Sequence, residues 1–264
     1  MMSRVITALA GIPLLIVIIG WGHSWHFSLL VLLVTTVALY EYFSIAFPNR
    51  WRDRILGILL GVLVSMGMLI PGFPGESGLW LSGAIVVAFS TYLFFGENLQ
   101  ERYNHLGWTL LGALYVGYLV PHFVLLYQSH GREWVFFILL VVMAGDTAAY
   151  VTGSFLGRRK LSPKISPGKT VEGALGGTGA SVLAGVMGAK FLLPGVSWLE
   201  TLWLSLALSV LGQAGDLFES WIKRVFGVKD SGKLLPGHGG LLDRIDSLIF
   251  PVVFTTHYLR HLYP

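Results

Sequence analysis

Residues 134–155 read Trp-Val-Phe-Phe-Ile-Leu-Leu-Val-Val-Met-Ala-Gly-Asp146-Thr-Ala-Ala-Tyr-Val-Thr-Gly-Ser-Phe. This run matches the ~20 apolar residues that cross a bilayer as a helix. Its only charge, Asp146, stands about ten residues from one end, roughly 15 Å deep by helical rise. A carboxylate there costs several kcal/mol unless it faces protein or a water-filled cavity. One stretch therefore sets both the fold class and a candidate site. Comparable runs recur at 5–22, 26–46, 55–71, 78–95, 106–127, 172–193, 199–222 and 246–262. The first follows Arg4 and ends in Gly20-Trp21-Gly22 without a small-residue cleavage site, so it reads as a span and not as a leader. The expected fold is all-α and polytopic, with about nine transmembrane helices. Residues 1–130 form an N-terminal helical region and residues 131–264 a C-terminal catalytic region.

Composition agrees. Apolar residues make up 54% of the 264 residues and charged residues 12%, with a mean hydropathy of +0.70. One soluble domain of this size cannot hide that much apolar surface. Open sheets are excluded in lipid, and long apolar runs are not the alternating pattern of a barrel. The chain has no Cys, which removes disulfides, thiolate nucleophiles and Cys-based zinc sites.

The 18 Lys and Arg residues are placed unevenly. With these spans, one side receives Arg4, Arg50, Arg52, Arg54, Arg102 and every basic residue of the loops at 156–171 and 223–245. The other receives only Arg132, Lys190 and Arg260. The basic side is expected to be cytoplasmic, with the N-terminus inside. Topology alone accounts for Arg50, Arg52 and Arg54. It does not account for the two long loops, which also carry Gly, Pro, Ser, Thr, His and acids.

Among the 14 acids, Asp146, Glu172, Asp216, Glu219, Asp243 and Asp246 lie in or beside those loops. Asp216, Glu219 and Lys223 share a helix face, as do Asp243 and Asp246. Carboxylates that close repel unless a cation lies between them, and an oxygen-only set suits a hard cation such as Mg²⁺. Structural ion pairs to Arg224 and Arg244 are the alternative. The string Lys164-Ile-Ser166-Pro-Gly-Lys169-Thr170 offers cations, hydroxyls and free backbone just before a helix start, a phosphate-attracting arrangement. It is not a P-loop, since Pro163 stands where Gly is needed and no strand is expected before it. Pro236-Gly-His238-Gly239-Gly240 is a second flexible loop, in which His238 either bonds a phosphate or caps Asp243. Carboxylates for a metal and cations for phosphates at a membrane surface suggest phosphoryl or nucleotidyl transfer, which needs no covalent nucleophile.

The stretch Ser220-Trp-Ile-Lys-Arg-Val-Phe-Gly-Val-Lys-Asp-Ser-Gly-Lys-Leu-Leu-Pro-Gly-His-Gly-Gly-Leu-Leu-Asp-Arg-Ile-Asp246 resembles the signature of the phosphatidate cytidylyltransferase, or CDP-diacylglycerol synthase, family, without departure. Gly145-Asp146-Thr-Ala-Ala-Tyr150 and Ser166-Pro-Gly-Lys-Thr170 with Glu172-Gly173 are similar to it too, and Ala38-Leu-Tyr-Glu41-Tyr42 is a weaker echo. The resemblance implies an inner-membrane enzyme that condenses CTP with phosphatidate, giving CDP-diacylglycerol and pyrophosphate. It implies Mg²⁺ on Asp216, Asp243 and Asp246, a second cation such as K⁺, and a homodimer among membrane lipids, with no nucleic-acid partner. Asp216, Asp243, Asp246, Lys223 and Arg224 would be catalytic. Ser166, Lys169, Thr170, Glu172, Lys229, Asp230, His238, Gly239, Gly240, Arg244 and Asp146 would bind substrate.

Other classes fit less well. A CDP-alcohol phosphotransferase needs an Asp-Gly-x-x-Ala-Arg start, which is missing, whereas a CTP-dependent lipid kinase shares the substrate logic. A transporter would place charges on both faces or midway, often in repeated halves; here they crowd one face. The basic asymmetry predicts that cysteines introduced into the cysteine-free chain at 162 and 232 are labelled only after the cytoplasmic side is opened. Labelling of both from outside intact cells would reverse the orientation.

Overall fold

The computed structural model describes residues 13, 15–69, 77–95, 98–232, 234 and 239–263. The helices in chain order are α1 (Ser24–Ala46), α2 (Trp51–Leu69), α3 (Ser77–Phe94), α4 (Leu99–Gly112), a π-helical segment (Ala113–Tyr118) and α5 (His122–His130). Then come α6 (Arg132–Leu156), strands β1 (Lys160–Ser162) and β2 (Ser166–Thr170), α7 (Val171–Leu192), α8 (Trp198–Val225) and α9 (Leu242–Leu262). The described residues of each expected span from 26–46 onward are almost all helical, which bears out the all-α class. Among the described residues five helices are long and apolar enough to cross a membrane: Ser24–Ala46, Leu99–His130, Arg132–Leu156, Val171–Leu192 and Trp198–Val225. Half of the expected first span, residues 5–12 and 14, lies outside the described residues, and residues 15–21 are helical. One expectation is corrected: the loop at 156–171 contains a two-stranded antiparallel hairpin pairing Lys160 with Thr170 and Ser162 with Ser166.

The chain packs as two compact units, residues 1–125 with 230–242, and residues 126–229 with 243–264. In the first, small residues let helices meet. Gly61 lies under Leu39, and Gly117 comes so close to Gly61 that an added Cβ would stand 2.7 Å from its carbonyl oxygen. The Ser65 hydroxyl donates to the Gly61 and Gly117 carbonyls at 2.9 and 2.7 Å. The Tyr92 hydroxyl joins Asp53 at 3.0 Å and Thr109 at 2.9 Å, tying α2, α3 and α4. Two arginines, one just before α2 and one in its first turn, have structural partners that the sequence reading did not give them. Arg50 pairs with Glu101 at 2.7 Å, and Arg54 donates to the Phe47 and Pro48 carbonyls.

The second unit is built on α6 against α7. The buried residues of α7 are Gly173, Gly177, Ser181, Gly185 and Ala189, a small residue at every fourth position. That spacing places them on one face and lets two backbones approach, the way helices associate in lipid. A Cβ on Gly177 would stand 2.8 Å from the Gly145 carbonyl oxygen, and one on Gly173 2.8 Å from that of Ala149. The Ser181 hydroxyl donates to the Val141 carbonyl at 2.9 Å. Gln213 of α8 donates to Ala174 and Thr178 of α7. Helix α9 contains Pro251, whose missing N–H frees the Ser247 carbonyl, and that oxygen lies against Gly212 of α8. A Cβ on Gly215 would meet the Asp246 carbonyl oxygen at 2.5 Å. The glycines of α7 and α8 thus set how near the acid-bearing backbones come.

Gly177→Val is expected to lower stability by ~1–3 kcal/mol through overpacking. Gly179→Val, whose Cβ would meet nothing within 4 Å, is expected to change it little. Unfolding in detergent measures both, and equal midpoints would refute close α6–α7 packing as the determinant.

Candidate active site

The acids and lysines of the second unit converge through four elements. Thr170 ends β2 and caps α7, its hydroxyl oxygen accepting the Gly173 N–H at 3.1 Å. That fixes the register of β2, so that Lys169, one residue earlier, reaches Asp216 of α8 with Nζ–Oδ2 2.6 Å. Two turns along α8, Lys223 lies between two carboxylates, 2.5 Å from Glu219 Oε2 and 2.6 Å from Asp243 Oδ1 of α9. The Glu219 side chain is 1% exposed and that of Asp243 6%. Asp246, one turn further along α9, is buried and accepts the Ser247 N–H at 2.7 Å. The Ser247 hydroxyl donates to Asp146 of α6 at 3.0 Å. Asp146, Asp216 and Asp246 are near enough for their charges to repel, and Asp146 also feels Lys169.

Five carboxylates, Asp146, Asp216, Glu219, Asp243 and Asp246, are thus met by two ion-paired lysines. Three of them, Glu219, Asp243 and Asp246, have buried side chains, and a surplus of buried negative charge is costly unless a cation offsets it. The donors are all carboxylate oxygens, the chemistry a hard divalent cation prefers. Glu219 Oε2 is ion-paired with Lys223, while Oε1 lacks a hydrogen bond of good geometry. The residues therefore fit Mg²⁺ in kind, although among the described residues no three acids or histidines stand in one ready-made metal cage.

A cytidylyltransferase-family profile matches residues 2–262. The chain belongs to the cytidylyltransferase family. The phosphatidate cytidylyltransferase of Bacillus subtilis (strain 168) is 35% identical over 265 residues, covering 96% of each chain. That of Staphylococcus saprophyticus is 39% identical over 199 residues, 72% of this chain and 75% of the relative. That of Brucella suis biovar 1 is 34% identical over 254 residues, 94% of this chain and 88% of the relative.

Within this family member the structure unites Asp146, Lys169, Asp216, Lys223, Asp243 and Asp246, residues scattered over a hundred positions. It gives other expected ligands posts within the fold. Glu172 accepts the Arg158 and Arg159 N–H groups at 3.0 and 3.1 Å, holding the exit of α6. Arg224 donates to the carbonyls of Ile165 at 3.1 Å and Val228 at 3.2 Å, bracing the hairpin turn. Ser166 is half-buried on β2, while Lys229, Asp230 and Arg244 are exposed. Gly239 has φ +82°, a conformation that favours glycine, and Gly240 is buried against Ser231. His238 lies outside the described residues. The sequence reading missed Ser247, which carries no signal beyond its place after Asp246. It also gave Glu41 no role beyond its place in the weaker echo, although an acid inside an apolar run is itself a signal. Gly232 lacks room for a side chain, since its Cβ would stand 2.5 Å from Glu41 Oε1, so Leu234 is the better labelling position.

Lys223→Met removes the cation between two buried carboxylates and is expected to cost ~3–5 kcal/mol in stability. Adding Glu219→Gln, which removes one of those charges, is expected to restore part of the loss. Chemical denaturation in detergent measures both. A single variant within ~0.5 kcal/mol of wild type would mean that the bridge is not structural.

Proposed function

We propose that the protein condenses CTP with phosphatidate to give CDP-diacylglycerol and pyrophosphate. The supporting observation is the carboxylate-rich cluster of Asp146, Asp216, Glu219, Asp243 and Asp246 beside Lys169 and Lys223. Family membership, together with the name and near-full coverage of the relatives, supports these substrates. A phosphate oxygen of phosphatidate attacks the α-phosphorus of CTP in line, and pyrophosphate leaves. The phosphomonoester is already largely ionised at neutral pH, so no strong general base is required. Lys169, Lys223, Arg224 and Lys229 orient the phosphate groups and offset their charge. Asp216, Asp243 and Asp246 would hold Mg²⁺, with Asp146 beside them and K⁺ as a second cation. When bound, the metal neutralises charge on the reacting phosphates. In this reading the chain crosses the inner membrane about nine times, and the basic asymmetry of its loops supports a site at the cytoplasmic face, where a water-soluble nucleotide meets a bilayer lipid. The functional assembly in this reading is a homodimer.

Radiolabelled CTP added to the detergent-solubilised protein with phosphatidate and Mg²⁺ is expected to yield labelled lipid. Asp216→Asn and Asp246→Asn are expected to lower turnover ~100-fold or more while leaving helical content unchanged. Mg²⁺ is expected to raise the thermal midpoint of wild type but not of Asp246→Asn. Arg52→Gln, on the same basic side and stacked over Trp51, serves as the charge control and is expected to retain activity. A labelled product of simple phosphorylation would move the protein to the lipid kinases. No CTP-dependent product would remove the reading.

A further inference from the structure

Glu41 stands inside α1, a 23-residue helix with no other Asp, Glu, Lys or Arg, and is 3% exposed. The reaction described above does not use it. Its carboxylate is nevertheless engaged by the segment 231–242, about two hundred positions away. Oε1 accepts the Leu241 N–H at 2.9 Å, and Oε2 accepts the Leu242 N–H at 2.8 Å and the buried Ser231 hydroxyl at 3.3 Å. Leu242 is the first residue of α9, so the amides are those a helix start leaves without a partner. A carboxylate at that end is favoured both as a charged acceptor and by the helix dipole. Two glycines make the contact possible. A Cβ on Gly232 would stand 2.5 Å from Glu41 Oε1, and one on Gly240 2.7 Å from Oε2. Both ends of the loop that carries the signature glycines thus close on one carboxylate.

We propose that Glu41 is a positioning residue: it clamps residues 231 and 241–242 together and so sets where the helix bearing Asp243 and Asp246 begins. A carboxylate is needed because its two oxygens serve two adjacent amides and a hydroxyl at once. Gln keeps one acceptor oxygen and presents N–H groups where the other oxygen stood. Ala leaves all three donors, those of Ser231 and Leu242 buried, without this acceptor, which is the costly case. Glu41 itself touches no reacting group. Its loss is expected to act on turnover more than on CTP affinity, because the loop remains in the chain but its geometry is no longer held.

The proposal rests on the reading that the signature region carries the reaction, and its test separates the two. A spin label is attached at Leu234→Cys, an exposed position in a chain without native Cys, and a second, separate label at Lys164→Cys serves as the control. Full-length protein in nanodiscs carries Glu41→Gln or Glu41→Ala in each background. The expected result is a more mobile label at 234 and an unchanged label at 164. With it, kcat is expected to fall about 10–100-fold while the KM for CTP moves less than about threefold. Unchanged mobility at 234, or a kcat within about twofold of the parent in either folded variant, would overturn it. Loosening at both labels with kcat per folded molecule preserved would also overturn it, leaving a purely structural acid. Where Glu41→Ala does not fold, Glu41→Gln decides. The mobility readout uses no substrate, so it stands even if the CTP reaction fails.

Discussion

A carboxylate carried on an apolar helix has to be answered within the protein, because hydrocarbon supplies neither water nor counter-ion. This constraint organises both units. Glu41 is answered by two amides and a hydroxyl. Glu219 and Asp243 share Lys223, Asp216 has Lys169, and Asp146 has Ser247. Glu200, near the other end of α8, is met by the hydroxyls of Tyr258 and Tyr263. Each acid is tied to an element distant in sequence, so satisfying the acids and assembling the helices are one event. A helix displaced by a turn would strand a charge, and that penalty selects the native register more sharply than apolar packing can, since lipid tails pack against side chains as readily as side chains do.

Such pairing demands close approach, which the glycines permit. Along α7 the repeat Gly173, Gly177, Ser181, Gly185 and Ala189 removes side chains from the face toward α6. On α8, Gly212 and Gly215 do the same beneath Ser247 and Asp246. Without a hydrophobic force between helices in lipid, contact of this kind, with Ser181 and Gln213 bonding across it, holds the second unit together. The clustered acids stand on this scaffold and not on the loops.

The hairpin between α6 and α7 converts a flexible loop into a lever. Pairing of Lys160 with Thr170 orders the strand, Thr170 caps α7, and Lys169 is delivered to Asp216 between those two constraints. Glu172 and Arg224 brace the ends of the same loop through backbone groups. Their charges therefore serve shape first. That division could not be read from residue type, because a loop arginine that binds phosphate and one that binds a carbonyl look alike in sequence.

The amino-acid sequence by itself determined the all-α membrane class, the crowding of acids and cations in and beside two loops, and the family resemblance. These follow from local quantities: apolar run length, charge position and an uninterrupted motif. Sequence spacing also placed Asp216, Glu219 and Lys223 on one face, because helical periodicity is local. Only the tertiary structure decided which acid each lysine answers, that Thr170 and Glu172 hold backbone, and that Arg50 and Arg54 have partners of their own. It also decided that Glu41 meets Leu241 and Leu242. These are pairings between residues tens to two hundred positions apart, and they depend on which helices pack together. In lipid that choice is made by small-residue faces and buried hydrogen bonds, features that leave little trace in a hydropathy profile.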